Sequence, residues 1–419
     1  MRTRNYFGVA LAMATLSLTA CSSEENENPK PQEMIATLEL KIEGVAASNT
    51  RATGSLPTGD ADAPTTDEGK VTRLTIAIFN SDKSVNAIQE FTNITDFTKV
   101  TMNCTAGQNC TGIAVANAPA KTFAGITKRD DFIKKTVDLS QTITELLMSG
   151  EIKQTQTAPA ASTTPFTLQA GKKLSMDVKL ERLVARVSIS SIKTAFDASG
   201  QYAKATFTLK KIFMHKVQYS YPVDPATPSA LTVTSDIKTG WWDTGNAAWD
   251  GTIAFPNDVA GQAKTAKLVD AINGTSGIAI TASAPFTTPY WFYTFPNKDA
   301  TNATRLVIFG TFDPDGPLPQ NPTQDQTAND QPEVDYYYPI VINKLQTGTI
   351  INDGSSNVTS PTTGKGDGTI VKNNKYTISA TIKGKGGANP NVDLNPSTLE
   401  LTITVAKWAL NISQDVEFN

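Results

Sequence analysis

The chain has 419 residues, enough for two or three domains, and 39% of them are hydrophobic, which is sufficient to build real cores. Only 18% of the residues are charged and the formal net charge is −3, so neither a basic nucleic-acid surface nor an acidic solvating tail is indicated. The single histidine argues against most acid–base, nucleophilic and zinc chemistry.

The first 20 residues have the pattern of an export signal. A short basic region is followed by an apolar run, Phe7 to Leu18, that is too short to span a bilayer. Small residues then precede Cys21, and an acidic, Asn-rich linker follows it. This arrangement is similar to a bacterial lipobox and predicts cleavage before Cys21, with a lipid on its thiol that holds the chain at a membrane. The alternative is an ordinary signal peptide followed by an incidental cysteine.

The next segment, Met34 to Gly44, alternates with period two and predicts a strand with one buried face. The side chains expected on that face are Met34, Ala36, Leu38, Leu40 and Ile42. A long polar loop, Val45 to Lys70, joins this strand to the rest of the chain and contains Arg51. Proteases cut such loops, and a cut between Arg51 and Ala52 would leave the strand held by packing and ladder bonds alone. An ordinary loop with an incidental arginine is the alternative, and spacing alone favours it.

The following residues predict more strands and two short helices. The helices are expected at Arg129 to Thr136 and at Ile143 to Met148, the second with a capping box between Thr142 and Glu145. The strands of this part are predicted at 71–80, 111–117, 166–168 and 172–180.

Two cysteines, Cys104 and Cys110, lie in this part of the chain. Because an exported protein meets an oxidising compartment, they predict a small disulfide loop, and two buried reduced thiols are the alternative.

A domain boundary is expected near Arg182, since a new set of apolar strands starts at Leu183. These strands are predicted at 183–190, 205–219, 285–295, 304–312, 336–342, 375–384 and 398–407. The predicted fold is therefore all-β with minor helices, in two tandem β-sandwiches at residues 52–182 and 183–407.

Three features of this second half contain residue types that bind ligands in other proteins. His215 is expected to be a partly exposed strand residue rather than a metal ligand. Asp313-Pro-Asp-Gly316 has two carboxylates at calcium-loop spacing but lacks the later acidic positions, so a turn is expected. Trp241, Trp242 and Trp249 lie in a loop-rich stretch, where they could bind a glycan or, as clustered tryptophans more often do, pack the loop onto its own domain.

The last stretch, residues 408–419, alternates again, but in the opposite phase to Leu399–Val405. Its apolar positions are Trp408, Leu410, Ile412, Val416 and Phe418. A strand cannot change phase without turning its apolar face over, so a break is expected near Ala406-Lys407. A terminal strand of this kind either folds back on its own domain or adds to the sheet of another molecule, which would make the protein a polymer subunit.

Several segments carry a family resemblance. They are the lipobox at Cys21, the strand before Asn49-Thr-Arg-Ala52, Gly112-Ile-Ala-Val-Ala-Asn-Ala-Pro119, Leu183-Val-Ala-Arg-Val187, and above all Asn373-Asn-Lys-Tyr-Thr-Ile-Ser-Ala-Thr-Ile-Lys-Gly384 with Thr402-Ile-Thr-Val-Ala-Lys-Trp408. Together they resemble the type V pilins, the fimbrillin shaft subunits of Bacteroidales.

The resemblance implies transthyretin-like β-sandwiches and a mechanism. An exported lipoprotein precursor at the bacterial outer membrane is cut after Arg51 by an arginine-specific surface protease, which removes the lipid and the first strand. The C-terminal strand of an identical subunit fills the vacated groove, and the resulting surface fimbrium, with its anchor and tip pilins, supports adhesion. No cofactor and no nucleic acid enters this mechanism.

The sequence is also compatible with other functions. A surface glycan-binding lipoprotein would use the Trp241–Trp249 loop and fold its tail back, whereas a pilus anchor or tip subunit would lack either the cut or the donor tail. An enzyme is least favoured, because none of the common hydrolase, protease, phosphate-binding or dinucleotide-binding motifs occurs in a suitable context.

Overall fold

The structure is a computed structural model, and it describes residues 34–44, 66–92, 94, 96–97, 99–139, 146–154, 165–226, 237–238, 269–271, 276–287 and 290–407. Over these ranges the protein is built of β-strands with two short α-helices. No helix in the described ranges is both long enough and apolar enough to cross a membrane.

Within its described residues, the first half contains nine strands, one α-helix and one 3-10 turn at Thr66–Gly69. They are β1 Ile35–Gly44, β2 Arg73–Phe79, β3 Val85–Thr92, β4 Val100–Thr105, β5 Gly107–Ala116, α1 Arg129–Ile133, β6 Thr136–Asp138, β7 Met148–Gln154, β8 Phe166–Leu168 and β9 Lys173–Arg182.

Eight of these strands form one sheet in the order β3-β2-β5-β7-β9-β1-β4, with β8 paired to β5. β4 and β9 alternate between buried and more exposed residues, as strands with one face in a core do. Buried residues from one face of each of β1, β2, β4, β5 and β9 form one hydrophobic core. This core is the environment of the strand predicted to be detachable.

The part of the second half that the structure describes adds thirteen strands and one helix. They are β10 Ala185–Thr194, β11 Thr206–His215, β12 Val217–Gln218, β13 Ser220–Pro222, β14 Ile237–Lys238, β15 Val269–Ala271, β16 Ile278–Ile280, β17 Tyr290–Thr294, β18 Arg305–Asp313, α2 Gln324–Ala328, β19 Val334–Val341, β20 Thr349–Asn352, β21 Asn374–Ile382 and β22 Leu399–Lys407.

Two five-stranded sheets organise this half. One has the order β17-β10-β21-β22-β20, and the other has the order β15-β11-β18-β19 with β16 also paired to β11. In β21 every second residue is buried, so one face packs into the core between the sheets and the other faces outward.

The two halves share a second, larger core. It includes Phe79 and Phe132 from the first half and Tyr221 and Phe295 from the second. Phe132 packs edge-on against Phe79 at a ring-centroid distance of 5.5 Å, and Tyr221 stacks on Phe295 at 5.4 Å. A short antiparallel pairing of β6 with β13 also crosses between the halves. Apolar packing and backbone hydrogen bonds therefore both join them.

The predicted all-β architecture with minor helices is confirmed, while the limits of the two domains stay a proposal. The helix predicted at Ile143 to Met148 is wrong where the structure describes it: residues 146–147 are not helical and Met148 begins β7. Leu146, Leu147 and Met148 are all fully buried. Pairing of β7 between β5 and β9 gives this apolar run more burial than a surface helix would, so tertiary context overrides local propensity. Thr142 and Glu145 of the expected capping box lie outside the described residues.

Candidate functional site

The candidate site is the slot that β1 occupies. β1 is an interior strand, antiparallel to β4 on one side and parallel to β9 on the other. Leu38, for example, lies opposite Met102 of β4 and Leu174 of β9. Because both edges of β1 are hydrogen-bonded, its removal would expose two unpaired strand edges facing each other.

The inward face of β1 is apolar, as its sequence predicts. Ala36, Leu38, Leu40 and Ile42 are 1%, 0%, 0% and 5% exposed. Burial of a large aliphatic side chain is worth about 1.5–3 kcal/mol, so the leucines and the isoleucine hold β1 mainly by the hydrophobic effect. Emptying the slot would leave a trough lined by the apolar residues of β4 and β9.

The outward face of β1 is polar. The Glu39 carboxylate lies 2.5 Å from the Lys173 ammonium of β9, and Ser175 donates a weaker hydrogen bond to it at 3.4 Å. The hydrogen bond from Lys173 lowers the pKa of the Glu39 carboxyl, against a smaller opposing effect of desolvation. These exposed contacts fix the register of β1 more than its stability.

Met34 does not belong to the buried face and corrects the prediction there. It lies just before β1 and is 48% exposed, although its carbonyl accepts a hydrogen bond from the Ala106 N–H at 2.7 Å. Pairing of β1 with β9 begins only at Thr37, so no neighbouring strand covers the Met34 side chain on that side.

β1 ends at Gly44 and the next described residue is Thr66. The predicted cleavage site, Arg51 and Ala52, therefore falls in residues 45–65, outside the described residues. Within the chain, β1 is connected to the rest of the described body only through this segment.

The turn that follows residues 45–65 in the chain contributes Glu68 to a buried ionic cluster. Glu68, in the turn at Thr66–Gly69, is 0% exposed, and its Oε1 lies 2.9 Å from the Arg186 guanidinium of β10. Tyr293 of β17 donates to the same oxygen at 2.7 Å. Arg182, at the end of β9, donates from Nε to the Glu68 carbonyl at 3.0 Å. Residues of both halves thus contact the turn at Thr66–Gly69, which follows residues 45–65.

The protonation of this cluster follows from its burial. Burial lowers the pKa of Arg182 to about 10, with the nearby Glu68 carboxylate opposing the shift. Burial, and then the charge of Glu68, raise the pKa of Tyr293 well above its usual value, so the phenol keeps the proton that it donates. Sequence reasoning missed Glu68, Arg186 and Tyr293; the only signal was an arginine within the apolar strand that starts at Leu183.

The two cysteines of the first half lie on strands that are consecutive along the chain, Cys104 on β4 and Cys110 on β5. Both are buried, free thiols in this structure. Burial, and to a lesser degree the neighbouring Cys110, raise the pKa of Cys104 to about 12, so neither a thiolate nucleophile nor a metal ligand is favoured there. The disulfide stays a prediction.

Beyond the slot, β22 ends at Lys407, and its buried residues include Leu401 and Ile403 in the phase that the sequence predicts. The lipidation residue Cys21, the whole tail Trp408–Asn419 with its apolar positions Trp408, Leu410, Ile412, Val416 and Phe418, and the loop tryptophans Trp241, Trp242 and Trp249 all lie outside the described residues.

His215 is buried, at 2% exposure, which corrects the expectation of a partly exposed residue. It ends β11, lies opposite Arg305 of β18, and its Nε2 is 2.9 Å from the Asn391 side-chain oxygen. The alternation of β11 breaks at its end, where three consecutive residues before His215 are also buried, and this local change hid its burial from pattern reading.

The Asp313–Gly316 segment is a turn, as expected, because the Gly316 N–H donates to the Asp313 carboxylate at 2.9 Å and Gly316 has a φ of +81°. Among the described residues, no group of three or more His, Cys, Asp or Glu side chains is arranged to hold a metal ion.

The chain is similar to known proteins in sequence. Residues 36–182 match the sequence profile of the family "Major fimbrial subunit protein (FimA)". Over 419 aligned residues the chain is 25% identical to the Major fimbrium subunit FimA type-2 of Porphyromonas gingivalis, covering 95% of this chain and 96% of that protein. It is 24% identical to the FimA type-4 subunit of P. gingivalis strain ATCC BAA-308 / W83, covering 96% of both.

Solved structures share the fold. A fimbrilin from P. gingivalis W83 aligns with a TM-score of 0.53 at 19% identity, over 90% of this chain and 98% of that chain. A protein from Bacteroides eggerthii DSM 20697, described as a cell adhesion protein, aligns with a TM-score of 0.56 at 18% identity, over 92% and 98% of the two chains.

Proposed function

We infer from these findings that the protein is a fimbrial subunit of the FimA type, a structural protein of the cell-surface fimbrium rather than an enzyme. We propose that it is a shaft pilin: a lipoprotein precursor, lipidated at Cys21, that is cut after Arg51 and polymerises through its C-terminal strand. Identical subunits, an anchor pilin and a tip pilin are its expected partners.

One observation carries the proposal: an interior strand of the first sheet is joined to the body only by the segment that contains Arg51. A cut there leaves β1 held by ladder bonds and by its buried face, without a covalent link. Three large buried side chains, at about 1.5–3 kcal/mol each, give an upper estimate of roughly 5–9 kcal/mol for that face. A competing strand with a similar apolar face can replace such an interaction.

The C-terminal tail is the candidate replacement. Its apolar residues alternate from Trp408 to Phe418, as those of β1 do from Ala36 to Ile42. Strand addition uses main-chain hydrogen bonds for affinity and alternate side-chain pockets for specificity. Because the contact runs from the tail of one subunit to the slot of the next, it does not close on itself and produces a filament.

The test uses three precursors expressed in the native host or a related one. Wild type should yield fimbria whose subunits begin at Ala52. Arg51→Ala should accumulate as a lipidated monomer that begins at Cys21, and deletion of residues 408–419 should yield cut subunits that do not polymerise.

Arg51→Lys is the matched control, because it keeps the charge and the length of the loop but removes the arginine. Normal filaments from Arg51→Ala would refute the cleavage step. Normal filaments from the truncated chain would refute the donor role of the tail, and would instead favour a polymer contact elsewhere on the surface.

A further inference from the structure

The strand β4 forms one side of the slot and has few neighbours of its own. It lies at the end of the eight-stranded sheet, and in the described part of the chain β1 is its sole ladder partner. The strand on the other side of the slot, β9, also pairs with β7. Removal of β1 would therefore leave β9 in a ladder and β4 without one. A strand of six residues without ladder bonds is prone to local opening.

The packing of β4 depends on β1 as well. Its inward side chains Val100, Met102 and Cys104 are 5%, 3% and 3% exposed, and they belong to the core that the buried face of β1 completes. Each lies opposite a buried residue of β1 in the antiparallel ladder, in the order Leu40, Leu38 and Ala36. Departure of β1 would thus remove the ladder bonds of β4 and part of its apolar packing together.

On its other side β4 faces β3, and a side-chain amide joins the two strands. Nδ2 of Asn86, on β3, donates to the Thr105 carbonyl at 2.9 Å, and Oδ1 of Asn86 accepts from the Thr105 N–H at 2.9 Å. Two residues opposite each other in an antiparallel ladder exchange the same pair of bonds through their peptide groups. Over their described residues β3 and β4 form no ladder with each other, so this pair, which we call the Asn86 clasp, takes the place of one.

The orientation of the clasp is fixed without any contribution from β1. Nδ2 of Asn86 also donates to Oδ1 of Asn80 at 2.8 Å, so both N–H groups and the oxygen of the amide are used. Asn80 is held in turn by Ser84, because its Nδ2 donates to the Ser84 hydroxyl and its N–H donates to the Ser84 carbonyl, both at 2.9 Å. These residues lie at the turn between β2 and β3, and none of the bonds involves the strand that is proposed to leave.

We propose that Asn86 is a positioning residue for strand exchange: its clasp keeps β4 against the body while the slot is empty, so that the slot stays in register for the next strand. The inference rests on the proposed function, because it assumes that β1 leaves. Without the clasp, β4 would detach from the emptied body, and an incoming strand would have to bring it back. The apparent affinity for that strand would then fall in proportion to the fraction of bodies that keep β4 in place.

The first experiment measures strand uptake by a full-length precursor that carries a site-specific protease sequence inserted within residues 45–65, so that the cut does not depend on Arg51. After the cut, a fluorescein-labelled peptide of residues 34–44 exchanges with β1, and anisotropy gives its association rate and Kd. Asn86→Ala should raise the Kd by about 10-fold, mainly through slower association, because fewer empty bodies are competent to bind. Asn86→Asp keeps the shape of the side chain but loses both donors, and should weaken binding at least as much.

Gln89→Ala is the matched control, because Gln89 is exposed on the same strand, and it should bind the peptide as wild type does. A clasp that only stabilised the fold would affect the filled and the empty body alike and leave the Kd unchanged. Equal Kd values and association rates for wild type and both Asn86 variants would therefore overturn the proposal.

A second measurement leaves Asn86 in place. The Thr105 N–H donates to Asn86, whereas the next amide, that of Ala106, donates to the Met34 carbonyl just before β1 at 2.7 Å. After gel filtration has separated β1 from the cut body, hydrogen exchange at Ala106 should become fast, while exchange at Thr105 should stay at least about 10-fold slower. Fast exchange at both amides would show that β4 detaches in spite of the clasp, and would overturn the proposal.

These readouts depend neither on the natural cleavage site nor on filaments. Uptake that depends on Asn86 in a chain that forms no filament would contradict the proposed function and leave this inference intact. Uptake that is independent of Asn86 in a chain that does form filaments would overturn this inference alone. A β1 that never leaves the cut body would overturn both.

Discussion

Glu68 is the residue on which the junction between the two halves depends most directly. Its carboxylate contacts Arg186 and accepts from Tyr293, and all three side chains are almost fully buried. Removing the negative charge would leave the buried guanidinium groups of Arg182 and Arg186 with less negative charge near them. We therefore expect Glu68→Gln to lower the free energy of unfolding by about 3–5 kcal/mol, the range found when one partner of a buried ion pair is removed.

Urea denaturation of the precursor measures this difference, and the chain offers a matched control. Glu90→Gln breaks the Arg73–Glu90 pair, which has a similar N–O distance of 2.7 Å but is about one-third exposed. That variant should lose less than about 1 kcal/mol. Equal losses for the two variants would show that burial of the Glu68 cluster has no energetic consequence.

His215 should make stability depend on pH. Burial lowers its pKa to about 4 from an unfolded value near 6.5, and the positive charges of Lys216 and Arg305 add to the shift while the hydrogen bond with Asn391 opposes it. Between these two pH values the unfolded chain binds a proton that the folded chain excludes. Stability should therefore fall as the pH drops from about 7 to about 4, by roughly 3 kcal/mol from this residue alone.

The comparison of wild type with His215→Gln, by urea denaturation at a series of pH values, isolates this contribution. Carboxylates such as Asp393, which pairs with Arg305 and Lys344 near the ring, titrate in both proteins and cancel in the difference. The variant should lose less stability than wild type across this window. Parallel curves would mean that His215 has the same pKa in the folded and unfolded states.

At the scale of elements, β1 buries only one of its two faces. Leu40 is fully buried and Lys41, the next residue, is exposed on the opposite face. Leu40→Ala should destabilise the precursor by about 2–5 kcal/mol through lost burial and a residual cavity, whereas Lys41→Ala should change little.

The same pair of variants is informative after cleavage. Once Arg51 is cut, Leu40→Ala should also speed the loss of β1 from the body, which gel filtration of the cut protein can follow by the release of the 21–51 peptide. An unchanged release rate in a destabilised precursor would indicate that β1 leaves only when the whole sheet opens.

The sequence predicted individual strands well where one face is buried. Period two over Lys375–Gly384 and Thr398–Lys407 anticipated β21 and β22 to within two residues, and Met34–Gly44 anticipated β1. Alternation is a local property, because each side chain reports its own face.

Strand pairing and the burial of polar side chains depend on residues far apart in the chain, so the local sequence pattern predicted neither. Nothing in β1 itself indicates that its neighbours are β4 and β9, which are far along the chain. Glu68 lies in a polar stretch whose pattern predicts a loop. Arg186 and Tyr293 come into contact with it only when the chain is folded. For His215, the alternation of β11 breaks just before it, and its hydrogen-bond partner Asn391 is far along the chain, so the sequence pattern did not indicate its burial.

At the scale of the whole molecule, the shared core makes the two halves depend on each other. β2 and β5 contribute one face to the core around β1 and another to the core that contains Tyr221 and Phe295. If the chain polymerises as proposed, tension would pass through both halves of each subunit, and the interface between the halves would have to bear it.

We therefore expect the cut subunit, with its slot refilled by a synthetic 408–419 peptide, to unfold as one cooperative unit. Hydrogen exchange should give similar opening free energies for β5 in the first half and β21 in the second, because each belongs to a sheet that packs against the shared core. Phe132→Ala, which removes a ring that stacks on Phe123 at 4.2 Å and lies in that core, should lower both values together. If it lowered protection in β5 alone, the halves would be independent domains, and the Glu68 cluster would have to hold them together without the help of the apolar contact.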